Sequence, residues 1–160
     1  MPGPANVWLG SPLQSGTKLS TPPASATGDI GTAVLQQSVT LVHNTTNVVD
    51  GTILLPGGSI IVDIITETTT AWNSATSDTL SVGTASAGTQ FASGIDVKTA
   101  AVRIRPTFTG TQLTNMLALS TSSPQVTVVA SVTPVGSATA GQTTVTILYV
   151  QTVQTTLGTS

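Results

Sequence analysis

Cysteine is absent, charge is scarce and aromatic side chains are few, and each shortage removes a class of protein. Without cysteine there is no disulfide framework and no thiolate metal site. Six acids and four bases in 160 residues give a net charge of -2. Four scattered cations cannot build the basic stripe that tracks a phosphate backbone, so nucleic acid is not expected as a partner. No apolar run approaches the roughly 18 residues of a membrane span, and no membrane is expected either. Only Trp8, Trp72, Phe91, Phe108 and Tyr149 are aromatic. What the chain has in abundance is hydroxyl: 32 threonines and 17 serines. Leu, Ile, Val and Phe number 42, too many for a disordered chain of such low net charge.

Residues 1–32 differ from the rest. They hold five of the nine prolines and five of the fifteen glycines, without sustained periodicity. Such a segment is expected to run as an extended N-terminal arm. Val7, Trp8, Leu9 and Leu13 make it more than a spacer, because a tryptophan on an arm needs a surface to cover. These four are the candidate anchors, whether on the chain's own domain or on a neighbouring subunit.

Residues 33–160 form the expected domain, and there the pattern has period two. Ala33–Val42, Val48–Leu55, Ser59–Thr70, Thr79–Val82, Val97–Arg105, Gln125–Thr133 and Thr143–Val153 read as strands. Gln112–Leu119 reads as a strand or a helical turn. In Ser59–Thr70, strict alternation sets Ile60, Val62 and Ile64 against Ile61, Asp63, Ile65 and Glu67. Turn chemistry at Asp50-Gly51, Pro56-Gly57-Gly58, Ser123-Pro124 and Ala140-Gly141 separates the runs. Threonine and valine suit a pleated, half-buried surface and weaken helix. The expectation is an all-β, antiparallel β-sandwich, with about eight strands favouring a jelly roll.

The side chains that could do chemistry are sparse. His43 is the sole histidine and has no acid near it in sequence, and no Gly-x-Ser-x-Gly elbow is present. Asp63 and Glu67, four apart on one strand, stand about 13 Å apart, too far for a retaining glycosidase pair. They read better as solvated positions, or as ion pairs with Arg103 and Arg105, which share a face by the same period. Asp78 and Asp96 lack the clustering that a calcium site needs. No enzyme, cofactor or metal is expected.

The stretch Leu55-Pro56-Gly57-Gly58-Ser59-Ile60-Ile61-Val62-Asp63, then Thr69-Thr70-Ala71-Trp72-Asn73, then Asp78-Thr79-Leu80-Ser81-Val82-Gly83-Thr84 and Phe91-Ala92-Ser93-Gly94-Ile95-Asp96 has a recognisable layout. With the hairpin Val135-Gly136-Ser137-Ala138-Thr139-Ala140-Gly141-Gln142, it resembles the jelly-roll capsid decoration (cement) proteins of tailed bacteriophages and related head or tail fibre domains. The resemblance spans about residues 54–150 and rests on turn placement and composition. It implies a structural protein on the outer surface of the virion, a homotrimer that bridges subunits of the major capsid protein. Trp72 would add a loop contact there, or else lid one end of its own sandwich. A receptor- or glycan-binding fibre domain is the alternative. Near-neutrality argues for assembly on separate grounds, since edge strands short of charge are poorly protected against pairing.

Overall fold

The computed structural model describes residues 33–44, 48–117, 119 and 123–151. Val7, Trp8, Leu9 and Leu13 lie outside them, as does the expected arm. No helix among the described residues is long and apolar enough to cross a membrane.

Period-two alternation produces eight strands: β1 (Val34–Val42), β2 (Val49–Pro56), β3 (Ser59–Thr70), β4 (Ser77–Gly83), β5 (Ala92–Asp96), β6 (Val102–Ile104), β7 (Gln125–Val135) and β8 (Gln142–Gln151). One helix, α1 (Gly110–Leu117), lies between β6 and β7. The strands form two four-stranded sheets, β1-β8-β3-β6 and β2-β7-β4-β5. Every pairing is antiparallel.

The order has a simple generator. β1 pairs with β8, β2 with β7, β3 with β6 and β4 with β5. The chain is therefore a four-strand run out and a four-strand run back, rolled so that β8 also meets β3 and β7 also meets β4. That is the jelly-roll arrangement, an all-β sandwich of eight strands.

The core fills the space between the inner faces. Leu41, Ile61, Ile64, Val145, Ile147 and Tyr149 come from one sheet, and Ile53, Leu55, Leu80, Val82, Val128 and Val132 from the other. Burying a large aliphatic side chain contributes on the order of 1.5–3 kcal/mol, so a core with few aromatics can still hold two sheets together. Along the open side, β1 and β2 approach closely: a β-carbon on Gly51 would lie 2.7 Å from Val39 Cγ2. Asp50-Gly51 is thus not the turn its chemistry suggested. It lies inside β2, where the absent side chain at Gly51 leaves room for Val39.

Two other expectations change, and an open one is resolved. Strict alternation in β3 fails because the ladder with β8 slips between Ile61 and Asp63, so that Val62 is the extra residue of a bulge. Ile61 and Ile64 both point into the core, while Val62 is 47% exposed. The strand expected over Val97–Arg105 contracts to Val102–Ile104, because Val97 is held away from β3: its N–H donates to the Asp78 carbonyl of β4 and its carbonyl accepts from Trp72 N–H in the β3–β4 loop. Gln112–Leu119 resolves as the helical alternative, beginning at Gly110. The turn at Pro56-Gly57-Gly58 stands as expected, with Gly58 at φ +74°, a conformation that glycine adopts without steric cost, but it is not a hairpin, since it carries the chain from β2 in one sheet to β3 in the other.

Candidate functional site

In this topology the β1–β2, β3–β4, β5–β6 and β7–β8 loops gather at one end of the sandwich, and this is where Trp72 sits. The expectation of Trp72 as a contact for another protein is corrected: the residue is 1% exposed and belongs to the core cluster. Its other reading, a lid over one end of its own sandwich, describes it. The indole Nε1–H donates to Thr143 Oγ1 at 2.9 Å, and Thr143 Oγ1 lies 3.1 Å from Thr68 Oγ1. Trp72 N–H donates to the Val97 carbonyl at 3.1 Å. His43 meets the indole edge-on, with ring centroids 6.2 Å apart, while its N–H donates to the Gly141 carbonyl at 2.8 Å. Gly141 lies against the indole itself; a β-carbon there would come within 2.6 Å of Trp72 Cγ.

The next residue continues the closure. Asn73 Oδ1 accepts from Thr139 N–H at 2.8 Å and Ala140 N–H at 3.0 Å, and its Nδ2 donates to Thr139 Oγ1 at 2.8 Å. One carboxamide thereby fixes the β7–β8 loop. Below it, Ser74 N–H donates to Asp78 Oδ2 at 3.0 Å, and Lys98 Nζ donates to the Ser74 carbonyl at 2.6 Å. Asp78 is 1% exposed, and its Oδ1 has no hydrogen-bond partner among the described residues.

The opposite end gathers the β2–β3, β4–β5 and β6–β7 connections. Thr109 N–H donates to Gln112 Oε1 at 2.9 Å, while Gln112 N–H donates to Thr109 Oγ1 at 3.2 Å. This is a reciprocal capping box, and it explains why a Thr-rich segment starts a helix here. Gln112, buried, spends its remaining donors on the Thr89 carbonyl at 3.2 Å and Ser93 Oγ at 3.1 Å. Asn115 Nδ2 donates to the Gln90 carbonyl at 3.0 Å. The β4–β5 loop is also held from the sheet, since Ala87 N–H donates to Ser131 Oγ, whose hydroxyl donates to Asp50 Oδ1 at 2.6 Å.

Among the described residues the charged groups are dispersed and mostly spent on neighbours. Arg103 bonds Glu67 at 2.9 Å and Arg105 bonds Asp63 at 2.7 Å, the pairing expected from their shared face. Asp96 Oδ1 accepts from Lys98 N–H at 2.9 Å. No group of three or more His, Asp or Glu side chains that could hold a metal ion occurs among the described residues. Among the described residues the aromatic side chains are inward as well: Trp72, Phe91 and Tyr149 are buried and Phe108 is partly buried against the core. The roles of Gln112, Asn73 and Gly141 are not anticipated by the sequence pattern. For Gln112 a signal is present, because Thr109-Gly110-Thr111-Gln112 has capping-box spacing. Asn73 and Gly141 carry no such local signal, as their partners lie across the fold.

Comparison with known proteins yields no match to a family model, a curated protein or a solved structure.

Proposed function

We propose that this protein is a structural component of a phage virion, a jelly-roll decoration protein that cements the capsid by bridging neighbouring major capsid protein subunits. The observation that carries the reading is what the sandwich does with its reactive groups. Among the described residues the carboxylates of Asp50, Asp63, Glu67, Asp78 and Asp96 are hydrogen-bonded or ion-paired to separate neighbours, Ser131, Arg105, Arg103, Ser74 and Lys98. Such side chains stiffen loops and edges rather than converge on a substrate, which suits a mechanical role. The resemblance of residues 54–150 to decoration proteins suggests the class of partner. The alternative of a glycan-binding fibre domain draws less support, because Trp72, Phe91 and Tyr149 are buried and so not free to stack on a sugar ring.

In this role the protein adds buried interface across joints of the shell, and Val7, Trp8, Leu9 and Leu13 of the N-terminal segment anchor it there. The test is co-sedimentation with purified capsids of the encoding phage, using the full chain and a chain lacking residues 1–30. The full chain is expected to pellet with shells. The shortened chain is expected to stay folded, judged by circular dichroism, and to remain in the supernatant. Failure of the full chain to pellet overturns the cementing role, and equal pelleting of both overturns the anchor assignment.

A further inference from the structure

The four edge strands differ sharply in how they are protected against pairing. β5 is five residues long, breaks register with β4, carries Gly94 at φ +68° and ends on Asp96. β6 has three residues, includes Arg103 and is followed by Arg105 and Pro106. β2 bears an exposed Asp50 and ends on Pro56. Short length, charge, proline and bulges are the devices that stop an edge from recruiting another strand. β1 uses none of them. It runs nine residues as Val-Leu-Gln-Gln-Ser-Val-Thr-Leu-Val, with no charge, no proline and an unbroken register against β8. It also exposes Val34 at 55%, Leu35 at 41% and Val42 at 57%.

We propose that β1 is a dimerisation strand, pairing antiparallel with β1 of a second copy of this chain about a two-fold axis through Ser38. The sequence of the strand selects that occupant. An isologous contact requires that residue i meet j while j meets i. Reversing β1 on itself about Ser38 sets Val34 opposite Val42, Leu35 opposite Leu41, Gln36 opposite Thr40 and Gln37 opposite Val39. Apolar residues meet apolar ones at both ends, no like charges oppose each other, and the exposed valines cover one another. Each pair also shares a face, as antiparallel pairing demands; a one-residue slip would set the inner row of one copy against the outer row of the other. The product is a continuous eight-stranded sheet, β6-β3-β8-β1 joined to β1-β8-β3-β6. It is a two-fold dimer, not the trimer that the resemblance implies.

The experiment uses the full chain and its lack of cysteine. By sedimentation equilibrium the native protein is expected at twice the chain mass of 16.0 kDa. Ser38→Lys, which sets two ammonium groups face to face at the axis, is expected to halve that mass with an unchanged circular dichroism spectrum, whereas Ser38→Thr keeps the dimer. Position-specific crosslinking tests the register. Residues directly opposite in an antiparallel pair have Cα atoms about 4.5–5.5 Å apart, within disulfide reach. Ser38→Cys is therefore expected to give a covalent dimer under mild air oxidation. Gln36→Cys, whose symmetry mate lies four residues away along the strand at about 13 Å, is expected to stay monomeric on a denaturing gel. A native mass of one or three chains, a dimer indifferent to Ser38→Lys, or equal crosslinking at both positions overturns the proposal.

Discussion

At the end of the sandwich holding the β3–β4 loop, closure comes from a buried indole seated on a glycine, with one carboxamide fixing the loop above it. At the other end it comes from the carboxamide of Gln112, which joins a capped helix to the β4–β5 loop and to β5 by hydrogen bonds. The first closure is mostly apolar area and shape, and depends on how completely the ring fills its space. The second is mostly polar satisfaction, where each bond adds little but each orphaned partner costs. The two ends should therefore fail differently, by cavity or clash at one and by local loosening at the other.

The largest test of that contrast is Trp72→Ala. Removing an indole that is 1% exposed is expected to cost about 3–5 kcal/mol, read as a lower urea midpoint for the whole domain. A loss below about 1 kcal/mol would mean that the end collapses around the vacancy and that shape matters little there. Gly141→Ala comes next. It keeps the ring but pushes a methyl group into it, an overpacking expected to cost about 1–3 kcal/mol in the same titration. The smallest effect belongs to the other end. Gln112→Ala orphans the Thr109 N–H and the Thr89 carbonyl and is expected to cost about 1–2 kcal/mol. By hydrogen exchange its signature is faster amide exchange in α1 and residues 89–93, with no change around Trp72. Loss of protection at both ends would erase the distinction between them.

Much of this architecture is legible in the order of residues along the chain, and what is not has physical causes. β8 is legible because one face is buried and the other only half-buried, which writes the period into residues such as Val145, Ile147 and Tyr149. β5 is not, since five residues with a glycine at positive φ make no alternation to detect. The bulge at Val62 is hidden because Ile60, Ile61, Ile64 and Ile65 put apolar side chains on both faces of the strand. Trp72 falls in a loop, as its neighbours in sequence suggest, but its burial is decided by Gly141 and Thr143, far away along the chain. Local pattern carries propensity and phase; it does not carry which distant residue leaves a space.

The rolled pairing has a consequence in time. β8 lies between β1 and β3, and the Gln37–Tyr149 contact joins residues 112 apart. On a ribosome, β1 emerges early but waits for nearly the whole domain before its neighbour exists. A chain built on such distant pairings belongs with the slow folders, because loop closure must come before the contacts that reward it. Until β8 arrives, β3 too has an open flank, so the nascent chain depends on its hydroxyl-rich sequence to stay in solution.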